Sequence, residues 1–244
     1  MTDTQQTHVP SAMERRRKSV GIFLRDVVVI FLAAILISFL IKIFLVRSFY
    51  IPSESMMDTL HENDRIIVNQ LTPDLMPLQR GDVVVFKDPG QWLHPRVPEP
   101  QNPVLAAFDW LFSVVGLSAP DSNDHLIKRV IGLPGDVVAC CNEFGQVTIN
   151  GVPIDEPYVV LLAGSDRVSE ADFEVTVPED SLWVLGDNRY ASADSRFNTD
   201  KPGNGFVPYD NVVGRAILIT WPIDRWTWLD NHEFTFRGVE PAKE

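Results

Sequence analysis

A mainly β protein with a single N-terminal transmembrane helix is the fold class this sequence predicts, on three observations. An apolar run of twenty residues, Val27–Val46, has Lys42 as its only charge. Beyond it, short runs rich in Val, Ile and Leu are separated by Gly, Pro, Asn and Asp. After residue 60 there is no amphipathic helical pattern of any length. Together these predict a membrane helix followed by an antiparallel, partly closed β-sheet domain.

Residues 1–26 form a cytoplasmic basic N-terminal segment. Residues 1–14 are polar, a composition that favours disorder. Arg15, Arg16, Arg17, Lys18 and Arg25 follow. The transmembrane helix is residues 27–46. At about 1.5 Å per residue it spans roughly 30 Å, the thickness of a hydrocarbon core. Lys42 lies near its far end, where its ammonium can snorkel to the interface. Only Arg47 follows closely. The positive-inside rule therefore places the N-terminus in the cytoplasm and residues 47–244 outside a single-pass cell-membrane anchor. A cleavable signal sequence is the competing reading. Val46-Arg47-Ser48 loosely fits a small-x-small site, but the run exceeds the roughly 7–15 residues of a signal core. The run has no polar face, which disfavours a helix buried in a soluble core.

Strands are expected at 65–68, 82–87, 125–131, 136–139, 147–149, 152–154, 173–177, 181–185 and 212–220. Gly132-Leu133-Pro134-Gly135 is a tight turn, and Asn150-Gly151 is a strong hairpin signal. Residues 88–124 interrupt this order as an insertion, Pro-rich at first and apolar from Val104 to Leu117. That apolar stretch is too short to span a bilayer. Trp92, Trp110 and Phe112 could dip into lipid headgroups, or the stretch could pack as a short helix on the β domain.

The formal charge of the 244-residue chain is −12. Residues 1–47 hold seven Lys or Arg against three Asp or Glu, whereas the remainder holds 14 against 30. A basic head and an acidic body suit a membrane-anchored protein, with the lipid bilayer as partner, and argue against nucleic acid. The five histidines show no metal-ligand spacing, so neither metal nor cofactor is expected. The only cysteines, Cys140 and Cys141, are adjacent. Neighbouring Cα atoms are about 3.8 Å apart across a trans peptide, below the usual disulfide range. A bridge is possible in an oxidising exterior but would not staple the fold.

The segment Ile51-Pro52-Ser53-Glu54-Ser55-Met56-Met57-Asp58-Thr59-Leu60 begins five residues after the apolar run. A nucleophile at Ser55 would lie within roughly 30 Å of the membrane boundary even if the chain were fully extended. No histidine adjoins Ser55, and neither a Gly-x-Ser-x-Gly elbow nor a Ser-x-x-Lys motif surrounds it. The best candidate base is Lys128, which strand alternation puts on the face of Leu126 and Val130. Buried there, an ammonium would lose its proton more readily and could deprotonate a serine hydroxyl. A strand lysine that simply snorkels to solvent remains open on spacing alone.

Four segments, in order, give a specific resemblance. They are Pro52-Ser53-Glu54-Ser55-Met56, Arg80-Gly81-Asp82-Val83-Val84-Val85-Phe86, Lys128-Arg129-Val130-Ile131-Gly132-Leu133-Pro134-Gly135-Asp136, and Gly186-Asp187-Asn188-Arg189-Tyr190-Ala191-Ser192-Ala193-Asp194-Ser195-Arg196. From the membrane helix to about Trp221 the chain resembles bacterial type I signal peptidases, membrane-bound serine endopeptidases that remove signal peptides from exported preproteins. The resemblance implies an extracytoplasmic catalytic domain with Ser55 as nucleophile and Lys128 as general base. It implies that the Ser53 hydroxyl and the Ser55 N–H form the oxyanion hole, and that Ser192 hydrogen-bonds and orients the lysine. Asp187 with Arg129, and Asp194 with Arg196, would be supporting ion pairs. Ile51, Met56, Leu60, Leu126 and Ile127 would line shallow pockets for the small side chains of Ala-x-Ala-like sites. Asp58 departs from the family, where many relatives have proline. A catalytically silent homologue that binds exported segments is the alternative.

Overall fold

The computed structural model describes residues 12–93 and 124–240, in two compact units divided between Phe44 and Leu45. The expectations for residues 1–11 and for Val104–Leu117, with Trp110 and Phe112, fall outside the described residues.

The first unit is one helix, α1 (Ala12–Phe44). It starts well ahead of the apolar run and ends before Val46. Its stretch Ile22–Leu40 has a mean hydropathy of 2.5, and none of it is buried.

Among its described residues the second unit contains strands and short 3₁₀ turns. Its strands are β1 (Val46–Tyr50), β2 (Arg65–Asn69), β3 (Val83–Lys87), β4 (His125–Gly132), β5 (Val137–Cys140), β6 (Val147–Ile149), β7 (Val152–Pro153), β8 (Phe173–Thr176), β9 (Ser181–Leu185), β10 (Val207–Pro208), β11 (Val212–Trp221) and β12 (Thr227–Trp228). All the pairings are antiparallel. The larger sheet runs β1-β2-β11-β3-β4-β9-β10, with β12 on β11, and the smaller runs β7-β6-β5-β8. The expected partial closure is not found. β5 to β8 pair among themselves instead of joining the edges of the larger sheet, so both sheets are open.

Local chemistry explains the central strands. Val83-Val84-Val85-Phe86 is buried at every position, the signature of a strand covered on both faces. β8 alternates between half-buried and exposed positions, as a strand covered on one face does. Asn150 and Gly151 both take positive φ, 53° and 79°, the geometry a two-residue hairpin turn needs. β1 was not anticipated. It begins where the apolar run ends and pairs in register with β2, Val46 opposite Asn69 and Tyr50 opposite Arg65.

Ile131, Trp183 and Leu185 of the larger sheet share one apolar cluster with Val138, Val147 and Ile149 of the smaller, which joins the two sheets. A second cluster gathers Val84, Phe86, Leu126, Val130 and Val184. Trp92 belongs to it, 4% exposed and edge-on to Phe86 with ring centroids 5.8 Å apart. The expectation that Trp92 reaches lipid headgroups is therefore corrected. Burying the indole against Phe86 removes more apolar area from water than an exposed loop tip would.

The Arg80–Phe86 and Lys128–Asp136 segments meet through a bidentate ion pair. Arg80 Nε and Nη2 donate to Asp136 at 2.8 and 2.7 Å. Between them Gly81 holds φ +88°, and a Cβ there would fall 1.7 Å from the Asn231 carbonyl oxygen. Cys140 and Cys141 are bonded to each other across a cis peptide with their Cα atoms 2.9 Å apart. The longer trans spacing assumed from sequence does not apply. The bridge encloses no further residue and so closes no loop.

Candidate active site

The loop carrying Ser55 continues the β1–β2 pair. Its ends are tied by Ile51 N–H to the Asp64 carbonyl and by Asn63 N–H to the Ile51 carbonyl, both at 2.9 Å. Asp64 accepts from His61 N–H and is clasped by Arg225, whose Nη2 also reaches the Thr59 carbonyl. Inside, the Leu60 N–H bonds the Met56 carbonyl at 2.8 Å. The Met57–Asp58 peptide is cis.

Lys128 comes from the centre of β4, opposite Val84 of β3. Directly opposed residues share a face, so Lys128 stands on the face of Val84. Its Nζ lies 2.7 Å from Ser55 Oγ and donates to the Ile127 carbonyl at 2.9 Å. Ser55 is 6% exposed and Lys128 4%. Burial lowers the lysine pKa from 10.5 to about 8, against the opposing charges of Asp194 and Asp187. At that value roughly a tenth of the side chain is a neutral amine at pH 7. Spacing alone left a snorkelling lysine open, whereas this one is enclosed.

The fourth motif segment closes over the pair. β9 runs antiparallel to β4 with Leu185 opposite Arg129, and Gly186 follows Leu185 directly. A Cβ on Gly186 would lie 2.2 Å from Ser192 Oγ and 2.5 Å from the Ser55 carbonyl oxygen. Only glycine leaves room there. Asn188 then holds the serine loop, its N–H bonding the Ser55 carbonyl and its Nδ2 the Glu54 carbonyl, both at 3.2 Å.

Arg129 and Asp187 form a fully buried bidentate pair, Nε to Oδ1 at 2.8 Å and Nη2 to Oδ2 at 2.7 Å. Arg129 Nη1 also donates to the Gly81 carbonyl at 2.7 Å. Asp194 and Arg196 pair through two contacts of 2.8 Å, and Asp194 Oδ2 accepts the Gly186 N–H at 3.0 Å.

Three expectations change. Ser192 Oγ is buried but has no hydrogen-bond partner among the described residues, so the expected bond to Lys128 is not made. The lysine's contacts go to Ser55 and Ile127, and Ser192 packs against Gly186 instead. Ser53 Oγ lies 3.4 Å from Ser55 Oγ, a long contact that turns its hydroxyl toward the nucleophile. Of the five expected pocket residues, Ile51, Met56, Leu60 and Ile127 share one core cluster. Leu126 packs in another, with Val84 and Phe86, because alternation along β4 turns it to the opposite face from Ile127.

Other members of the site were given no role from sequence. Thr59 Oγ1 donates to Asp187 Oδ2 at 2.5 Å, tying the serine loop to the ion pair. Arg189 pairs with Glu156, and the ring of Tyr158 lies under the Arg129 guanidinium at 4.0 Å. Arg189 stood in a motif segment, but nothing local marked Glu156 or Tyr158 as its neighbours.

A serine hydroxyl buried within hydrogen-bond reach of an amine of lowered pKa is the constellation of serine hydrolases that use lysine as base. Comparison with known proteins narrows that class. Residues 24–221 match the family model described as signal peptidase, peptidase S26. A probable signal peptidase I of Mycobacterium leprae is 39% identical over 208 residues, covering 75% of this chain and 71% of the relative. A signal peptidase I of Mycobacterium tuberculosis is 38% identical over 220 residues, covering 83% and 74%. The crystal structure of a signal peptidase I from Enterococcus faecalis V583 aligns at 27% identity over 57% of this chain and 95% of that one, with a TM-score of 0.36. The chain belongs to the signal peptidase family, peptidase S26. It is a serine endopeptidase of the signal peptidase I type, and removal of signal peptides is the activity its family implies.

Proposed function

We propose that Ser55 is the nucleophile and Lys128 the general base of a membrane-anchored signal peptidase that cleaves exported preproteins after small-x-small sites. The contact that carries this reading is the 2.7 Å approach of Lys128 Nζ to Ser55 Oγ, made by a lysine whose burial brings its pKa to about 8. The neutral amine takes the hydroxyl proton as Oγ attacks the scissile carbonyl. The resulting ammonium gives that proton to the leaving amine, and water, deprotonated by the same lysine, releases the acyl group. The Ser55 N–H and the Ser53 hydroxyl stabilise the oxyanion, each donor contributing about 3 kcal/mol. For this the Ser53 hydroxyl rotates from Ser55 Oγ toward the substrate. Ile51, Met56, Leu60, Leu126 and Ile127 set the preference for small side chains, and Asp187, Arg129, Asp194 and Arg196 support the site. The substrate binds as an added extended strand, with main-chain hydrogen bonds supplying affinity.

The purified chain should cleave a preprotein carrying an Ala-x-Ala site, and an acyl-enzyme should be trappable on Ser55 by mass spectrometry. Ser55→Ala should abolish both, and retained cleavage in that variant would sink the assignment.

The unpartnered apolar surface of Ile22–Leu40 supports an anchor in the lipid bilayer, and the basic residues before it support a cytoplasmic N-terminus. Protease added outside intact spheroplasts should digest the β unit while sparing an N-terminal tag. Digestion of the tag instead would reverse the orientation.

A further inference from the structure

Gly186 sits where the serine loop and Ser192 converge, and both of its peptide groups end on buried ion pairs. Its N–H goes to Asp194, which Arg196 clasps. Its carbonyl accepts Arg189 Nε at 3.0 Å. The rest of that guanidinium faces Glu156, with Nη1 to Oε2 at 2.8 Å and Nη2 to Oε1 at 2.5 Å. The Arg189 and Glu156 side chains are 0% and 1% exposed. Glu156 lies between β7 and β8, outside all four motif segments.

Tyr158 follows two residues later and joins this pair to the other. Its hydroxyl donates to Glu156 Oε1 at 2.8 Å, while its ring carries the Arg129 guanidinium. Burial, then the Glu156 carboxylate, pushes the phenol well above its usual pKa, so it remains a donor. Burial works against the charge on Arg189, but the Glu156 carboxylate more than offsets it and raises its pKa.

A buried ion pair adds little net stability over apolar side chains of the same volume. Stability alone is therefore a weak reason for this one. Its geometry offers a better reason: it ends on the carbonyl of the one residue whose missing side chain admits Ser55 and Ser192.

We infer that Glu156 and Tyr158 are positioning residues for Ser55 and Lys128, acting through Arg189 on the Gly186 carbonyl and through Arg129 on the Thr59–Asp187 clamp. The inference rests on the Ser55–Lys128 pair proposed above. Neither residue has a described contact with Ser55 or Lys128. Their loss should displace the reacting atoms and leave substrate affinity alone.

The test compares the full-length chain in detergent with Glu156→Gln and Tyr158→Phe, which nearly preserve volume, and with Ser55→Ala. The readouts are kcat and KM on a preprotein, together with the thermal midpoint. Glu156→Gln should lower kcat about ten- to a hundredfold, the scale of a misplacement near 1 Å, with KM within about twofold. Tyr158→Phe, the milder change should Glu156→Gln not fold, should lower kcat about two- to tenfold, the worth of one hydrogen bond. A folded Glu156→Gln with wild-type kcat overturns the inference. So does wild-type kcat in Tyr158→Phe when Glu156→Gln does not fold, or a loss that vanishes at temperatures where the variant is fully folded. Undiminished activity in Ser55→Ala would instead overturn the nucleophile assignment itself.

Discussion

Replacing Lys128 with methionine should abolish activity and at the same time stabilise the protein below about pH 8. The catalytic loss should be at least about a thousandfold, because no other base lies within hydrogen-bond distance of Ser55 Oγ among the described contacts. The gain in stability follows from linkage. Burial lowers the lysine pKa in the folded chain from 10.5 to about 8, so folding must bury a cation at neutral pH. The unfolded chain binds the extra proton between those two values, and wild-type stability therefore rises with pH across that window. Below about 8 the penalty is fully present, at about 3 kcal/mol. Methionine has nearly the same length and no charge, so Lys128→Met should gain roughly 5–10 °C in thermal midpoint at pH 6–7. That gain should fade as pH rises toward 10.5. The kinetic counterpart is a wild-type kcat/KM that rises with pH through about 8, since the neutral amine is the competent form. A limb near 6.5, or a Lys128→Met variant no more stable than wild type at pH 6, would show that the lysine does not carry a lowered pKa.

Such a trade of stability for chemistry is legible only in part from sequence. Buried β-branched runs such as Val83-Val84-Val85, and the Asn150-Gly151 turn, have local signatures, so their strands were placed within a residue or two. β1 was missed because Arg47-Ser48 interrupts any apolar strand pattern, and its form comes from pairing with β2. β10 and β12 were missed because two-residue strands owe their form to the neighbour they pair with. Trp92 was grouped with the insertion's other aromatics because nothing local marks its partner, Phe86 of β3, on which it is buried.

The site divides along the same line. Ser55, Lys128, Arg129, Asp187 and Asp194 stand in ordered motif segments and could be named by resemblance. The partners that hold them could not. Thr59 meets Asp187 across 128 positions, and Glu156 meets Arg189 across 33. Neither spacing has a period that a strand or helix would impose. Ser192 illustrates the opposite error. A motif position implied a hydrogen bond, but that hydroxyl packs against Gly186 and has no hydrogen-bond partner among the described residues.

Asp187→Asn should be among the most destabilising single changes in the β unit. Arg129 and Asp187 are both fully buried and meet in two hydrogen bonds. An amide in place of the carboxylate turns one acceptor into a donor facing the guanidinium. Arginine stays charged at any accessible pH, so the variant must keep an unbalanced cation in the core. Losing one partner of such a pair costs about 3–5 kcal/mol, or roughly 10 °C in thermal midpoint for a unit of this size. Activity should fall as well, because Thr59 Oγ1 donates to the same carboxylate and holds the turn behind Ser55. A third effect has a definite sign. Asp187 is one of two carboxylates that hold the Lys128 pKa up against burial, so its neutralisation should move the rising limb of kcat/KM to lower pH. Arg129→Met removes the other partner and should destabilise similarly, while the same limb should move to higher pH, because the unpaired Asp187 carboxylate then acts on Lys128 alone. Thermal melts and pH profiles of the two variants separate a loss of packing, which would move both limbs alike or not at all, from this electrostatic coupling, which moves them apart.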